Sequence, residues 1–332
     1  MEISGAAERI GITLQRCRWL SPDVTMVLVG LICGITLFVE VGVVLLIPLA
    51  FSIAKKTNTS LLKLAIPLCT ALMAVHCVVP PHPAAMYVTN ALGADIGTVI
   101  VYGLVVGLAA SLIGGPLFLR IVGNRLPFKT VPQAFSEVKV RNEDELPSLG
   151  ATLFTVLLPI ILMLAKTAAE LNMEKGTTAY LILEFIGNPI TAMFIAAFVA
   201  YYTLGIRQNM GMSTLLAKTE ESFSSIANIL LIIGAGGAFN GILKASGLAD
   251  SLAATAIVSP ILPMYPHVSP EIITLAIGSG TIGFTIVTDS LFWLVKQYCG
   301  ATLSETFKYY TTATLIASVI ALGTTFLLSY II

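Results

Sequence analysis

Two acidic residues, Glu40 and Asp289, stand in stretches otherwise almost free of charge. Residues 24–54 are apolar apart from Glu40, and residues 271–296 hold Asp289 as the one charge between the flanking ones. An ionised carboxylate inside a bilayer is costly, so each needs a partner, a water-filled cavity or a bound proton. A carboxyl that takes a proton at one face and gives it up at the other is a coupling group. Glu40 and Asp289 are therefore candidates for proton coupling and for shaping a binding site. The competing reading is a structural carboxylate hydrogen-bonded to a broken helix end.

Glycines flank both acids: Gly34 and Gly42 in the first stretch, Gly278, Gly280 and Gly283 in the second. They predict a break or a re-entrant hairpin rather than a continuous rod. As one helix, residues 24–54 would run about 46 Å, too long for a single crossing. The two stretches share Gly-x-Thr-x-x-x-acid, from Gly34 to Glu40 and from Gly283 to Asp289. Interrupted segments in corresponding halves of a chain point to a midplane binding site in secondary transporters.

A third break is written in His76-Cys77-Val78-Val79-Pro80-Pro81-His82-Pro83. Prolines lack an N–H and restrict the preceding residue, so they end a helix and free its carbonyls. His82, set between prolines, could hydrogen-bond a substrate; the alternative is a stiff loop with an incidental histidine. His76 reads as a packed core histidine before a proton relay. The spacing of the pair is not that of a helical metal site.

Three glycine clusters recur, at 114–116, 234–240 and 278–280. The middle one lacks the strand and βαβ unit of a dinucleotide loop, and no cofactor is expected. Close helix packing competes there with an unwound tip that offers N–H groups to a ligand. No arginine falls inside a predicted span, so a substrate carboxylate would be held mainly by backbone N–H groups and helix N-termini. Ser279, Thr281, Thr285, Asn188 and Asn240 supply hydroxyl and amide groups suited to a polyhydroxylated ligand.

The elements that must hold these residues follow from composition. The 332 residues carry 18 Lys+Arg against 18 Asp+Glu, only 11% charged and 56% hydrophobic, with mean hydropathy +0.92. Soluble domains carry about a quarter charged residues, and a nucleic-acid binder needs a basic excess. Both are excluded, and a polytopic all-α membrane protein is expected. Uncharged stretches long enough to span lie at 64–81, 96–119, 149–165, 185–206, 222–243 and 309–332. Basic residues precede (Arg9, Arg16, Arg18) and follow (Lys55, Lys56, Lys63) the Glu40 stretch. The positive-inside rule then favours a hairpin that enters and returns to the cytoplasmic face. The proline-bearing segment 120–148 is a cytoplasmic loop of one transmembrane domain spanning 1–332. The five cysteines sit mostly in apolar runs at unrelated spacings and read as core fillers. The N-terminus lacks the apolar core of a signal peptide.

Several motifs run in order along nearly the whole chain: Leu37-Phe38-Val39-Glu40-Val41-Gly42, Pro80-Pro81-His82-Pro83, Gly93-Ala94-Asp95-Ile96-Gly97, Gly114-Gly115-Pro116-Leu117-Phe118 and Glu184-Phe185-Ile186-Gly187-Asn188-Pro189. Residues 234–240, Ala276-Ile277-Gly278-Ser279-Gly280 and Asp289-Ser290-Leu291-Phe292-Trp293-Leu294 complete the set. With them the chain resembles the gluconate permease (GntP) family, nearest its enterobacterial gluconate/fructuronate branch. The resemblance implies an inverted-repeat secondary transporter with re-entrant hairpins and broken helices, of the ion-transporter superfamily type. It implies proton-coupled uptake of gluconate or a related sugar acid across the bacterial inner membrane, with substrate, protons and the bilayer as partners and a homo-oligomer left open. Relatives that carry D-serine keep a D-serine or other organic-acid permease as the alternative. The chain departs from the family in two places, before Met1 and near Ala254, where further segments are expected. A shortened, non-transporting membrane protein is a third reading, whereas no motif supports an intramembrane enzyme.

Overall fold

The computed structural model describes residues 4–16, 19–132, 145–217, 219–220, 267–287 and 289–331. Every regular element among them is helical. In chain order they are α1 (Ala6–Gln15), α2 (Pro22–Gly34), α3 (Val39–Thr57), α4 (Leu61–Val78), α5 (Pro83–Ala91) and α6 (Ile96–Val122). After the 120–148 segment come α7 (Leu149–Asn172), α8 (Thr178–Ile186) and α9 (Pro189–Gln208). The last three are α10 (Pro270–Ile282), α11 (Ser290–Tyr298) and α12 (Leu303–Leu328). Among the described residues, five helical runs are long and apolar enough to cross a membrane: α4 through α5, α6, α7, α9 and α12. The expected span at 222–243 lies outside the described residues. The last span begins at Leu303 rather than residue 309, because Glu305 is paired with Lys129 Nζ at 3.0 Å and its charge is satisfied at the helix start. The span expected from residue 185 begins after a break, at Pro189.

Helix starts follow the local sequence. Asp95 caps α6 by accepting from Thr98 N at 2.7 Å, and Ser148 and Ser269 cap α7 and α10 in the same way. Pro22, Pro83, Pro189 and Pro270 each occupy the first helical turn, where the missing N–H costs nothing.

Close approaches fix the direction of each element. Gly30 packs against Leu68 and Ala71, and Gly34 against Leu72 and Val75, so α2 runs parallel to α4. The tight link Asn58–Ser60 makes α3 antiparallel to α4, and Gly42 meets Leu72 again. Thus α2 and α3 form the expected hairpin, with its tip at Ile35–Phe38. Its two ends lie on one face. Asp23 at the start of α2 pairs with Arg120 at the end of α6 (3.3 Å), and Ser60 ahead of α4 donates to the Pro127 carbonyl. Lys55, Lys56, Arg125 and Lys129 share this face, which the positive-inside rule makes cytoplasmic.

The second acid-bearing stretch is built differently. α10 starts at the opposite face, where Glu271 accepts from the Asp95 N–H. α11 leads to Gly300, beside Pro132 at the basic face. It is therefore a broken crossing, interrupted at 283–289, whereas the first is a hairpin. α4 and α5 make another broken crossing, interrupted at Val79–His82.

α4 is the centre of the packing, touched by α2, α3, α6, α10 and α12. Small residues permit the contacts. A Cβ on Gly114 would lie 2.7 Å from Ala317 Cβ, and one on Gly115 would lie 3.0 Å from the backbone of Pro67. The 114–116 cluster is thus a helix-packing device on the turn of π-helix inside α6, not an open tip. The four described cysteines, Cys33, Cys69, Cys77 and Cys299, are all buried. Exposed apolar side chains on α9 and α12, such as Phe194, Phe198, Val319, Leu322 and Phe326, form the kind of surface that hydrocarbon covers.

Candidate functional site

Three interruptions meet at one level of the bundle: the hairpin tip, the α4–α5 linker and the α10–α11 break. Ser290 Oγ donates to Glu40 Oε1 at 2.9 Å, joining the last break to the start of α3. His82 Nε2 lies 2.7 Å from the Gly34 carbonyl oxygen, joining the linker to the end of α2. A Cβ on Gly278 would sit 2.6 Å from the Cys77 carbonyl oxygen, so α10 and α4 touch backbone to backbone just before both breaks.

Asp289 is the N-cap of α11, accepting from Leu291 N at 2.8 Å. Glu40 is in the first turn of α3. Each carboxylate thus stands at a helix N-terminus, where the dipole and unpaired N–H groups favour negative charge. Both are half-buried and bear electrostatically on each other and on His76. Phe38 packs its ring against His76 and His82, with centroids 5.7 and 6.2 Å away. In the break itself Phe284 adopts φ 57° and is 69% exposed. A non-glycine residue in that region is strained, and such residues gather at functional sites.

The other expected residues divide. His82 is buried at the junction. Thr281 is exposed beside it and donates to the Gly278 carbonyl at 2.7 Å. Thr285 is buried in the break, its carbonyl accepting from Thr311 Oγ1. Ser279 is fully buried between α10 and α12, donating to the Leu275 carbonyl. Its burial comes from the helix period, which turns it away from the face that Thr281 presents. Asn188 caps α9, accepting from Ile190 N, and sits in the α8–α9 break packed on α7. It is not joined to Glu40 or Asp289 by any contact among the described residues. Asn240 lies outside the described residues, as does the 234–240 cluster.

The α8–α9 break borders a different cavity of about 430 Å³, between Gly93–Ile96, Lys166, Glu170, Gly187 and Glu271. Its polar groups are engaged: Thr167 Oγ1 donates to Asp95 Oδ2, and Lys166 pairs with Glu170. It opens at the face opposite the basic one. Sequence reasoning passed over Ser290 and Phe38, and it put His76 in the core. The signal for all three was adjacency to the breaks.

A bundle of crossing helices, one re-entrant hairpin and two unwound crossings that bring paired carboxylates together defines a polytopic membrane permease. The chain belongs to the GntP family of permeases, whose family model matches residues 1–256 and 251–331. It is 73% identical to the D-serine transporter DsdX of Escherichia coli, over an alignment of 366 positions that covers all of this chain and 82% of the relative. It is 37% identical to a gluconate permease of Pseudomonas aeruginosa (100% and 82% covered) and 32% identical to the high-affinity gluconate transporter of E. coli (99% and 82%). The chain is thus a multi-pass transporter of the bacterial inner membrane, and its family consists of permeases rather than enzymes.

Proposed function

We propose that this chain imports a small hydroxylated carboxylate together with protons, with D-serine the favoured substrate and gluconate-type sugar acids the runner-up. The observation that carries the reading is the meeting of Glu40, Ser290 and Asp289 at the hairpin tip and the broken crossing. Carboxylates at facing helix breaks can hold a proton and orient a polar solute in one step. The substrate order is supported by 73% identity to a D-serine transporter against 37% and 32% to gluconate permeases. We read residues 1–332 as one transmembrane domain, with 120–148 as its cytoplasmic loop. Glu40 and Asp289 are the coupling carboxylates, whose negative charge draws the proton into the site. His82, Thr281 and Thr285 border the ligand, with Ser279 behind them, and Asn188 and Asn240 are further candidate ligand groups.

Uptake by the purified protein in liposomes with an alkaline interior tests this. Labelled D-serine should accumulate and collapse with an uncoupler, with unlabelled gluconate the weaker competitor. Uptake indifferent to the pH gradient would refute proton coupling, and preference for gluconate would reverse the substrate order. A second reading, a folded chain that does not transport, is supported by the alignment of 366 positions against 332 residues here, which leaves at least 34 without a counterpart. Substrate-dependent thermal stabilisation without uptake would favour it.

A further inference from the structure

From Leu64 to Pro80, along the central helix and its linker, every residue is buried except His76. The one accessible position of this stretch, beyond Lys63 at the helix start, is therefore a histidine, and it bears on the acid pair. Its hydrogen bonds determine its tautomer. The Gly34 carbonyl can only accept, so His82 must carry its proton on Nε2. Neutral His82 then has a bare Nδ1. That atom is 3.3 Å from His76 Nδ1, which must be the donor. Neutral His76 is left with Nε2 bare, and no described residue bonds to that atom.

We propose that His76 is the proton-accepting group of this site, held ready by His82 and the hairpin-tip carbonyl, and that its proton admits the substrate's carboxylate. Hydronium from the acidic side gives its proton to the Nε2 lone pair and becomes water, which forms the imidazolium and leaves both existing hydrogen bonds intact. The extra proton can pass across the Nδ1–Nδ1 contact to His82, but a second proton meets a like charge at close range, so the pair takes one. Among the described residues, the titratable groups facing His76 are Glu40 from α3, Asp289 ahead of α11 and His82 from the linker, with Cys77 and Tyr310 bearing on Asp289. α2, α6 and α10 also pack on α4, but their acids Asp23, Asp95 and Glu271 sit at the helix ends. Two carboxylates with no Arg or Lys among them in the described residues repel an anionic group. One imidazolium between them supplies the missing positive charge, so proton and substrate enter together.

This inference rests on the proton-coupled reading above, and the test separates the two. If the unaltered protein accumulates no substrate under a pH gradient, the coupled reading itself fails. If it does, His76→Gln is expected to lower accumulation at least tenfold and to abolish the uptake of about one proton per D-serine bound, measured with a pH indicator in weak buffer. His82→Gln, which leaves His76 in place but frees its tautomer, is expected to shift the pH profile of uptake rather than remove it. Nitrogen NMR of the unaltered, histidine-labelled protein needs no variant. It should show His76 as the Nδ1–H tautomer at high pH, gaining one proton at Nε2 on acidification. An unchanged pH profile in His76→Gln, or a His76 that holds Nε2–H throughout, would overturn the proposal.

Discussion

Ser290 and Glu40 are 250 residues apart, yet the serine hydroxyl donates to the glutamate carboxylate at 2.9 Å. One belongs to a broken crossing and the other to a re-entrant hairpin, so their bond closes the two acid-bearing stretches into one site. Each stretch alone would leave a carboxylate in hydrocarbon.

The charge at this junction is separable from the hydrogen bond. Glu40→Gln keeps an acceptor for Ser290 but loses the charge, and Asp289→Asn likewise keeps the α11 cap. Each is expected to reduce pH-driven accumulation by at least about tenfold, roughly 1.4 kcal/mol in the coupling step. Ser290→Ala, which removes one hydrogen bond at an exposed hydroxyl, should cost about fivefold or less. Initial rates in liposomes at fixed gradient distinguish them. A serine variant as damaged as the glutamine would mean that geometry, not charge, sets the rate.

Two glycines two positions apart in α10 should respond oppositely. A side chain on Gly278 collides with the Cys77 carbonyl, whereas Gly280 has open space around its Cβ position. Gly278→Val is expected to destabilise by about 1–3 kcal/mol, the usual effect of overpacking. Gly280→Ala should be neutral or stabilising by a few tenths, about the helix propensity difference. Thermal unfolding in detergent measures both.

The basic face is latched by Asp23 and Arg120. The carboxylate is 5% exposed and the guanidinium 51%, with Arg120 also donating to Ser21 at 2.8 Å. Arg120→Ala leaves an acid buried without its cation, and a loss of about 1–3 kcal/mol is expected. The double variant with Asp23→Asn should recover part of it. Midpoints of thermal unfolding in a double-mutant cycle provide the check, and additive losses would mean the pair is not coupled.

Much of the architecture could be read from residue order because each device has a local cause. Glu40 with its glycines and basic flanks foretold the hairpin, and the prolines around His82 foretold the break after α4. Charge alone could not distinguish a hairpin from a broken crossing at Asp289, since only the contacts of Glu271 and Gly300 orient that stretch. Ser279 looked like a ligand group by composition, but the helix period buries it against α12. Asn188 shared a motif with the site residues and still lies in another break. His76 was hidden for the opposite reason. It sits in a helix so apolar that its one accessible position beyond Lys63 emerges only when the neighbours are packed.

The shared site is tested most directly by disulfide trapping in native membranes. Cysteines are placed at Glu40 and Ser290 in a chain whose five natural cysteines are replaced. Rapid cross-linking under mild oxidation is expected for this pair, slowed by D-serine, while a control pair at Asn188 and Ser290 stays reduced. Failure of the Glu40–Ser290 pair to cross-link in a folded chain, or equal cross-linking of the control, would contradict a single pocket built from the two acid-bearing stretches.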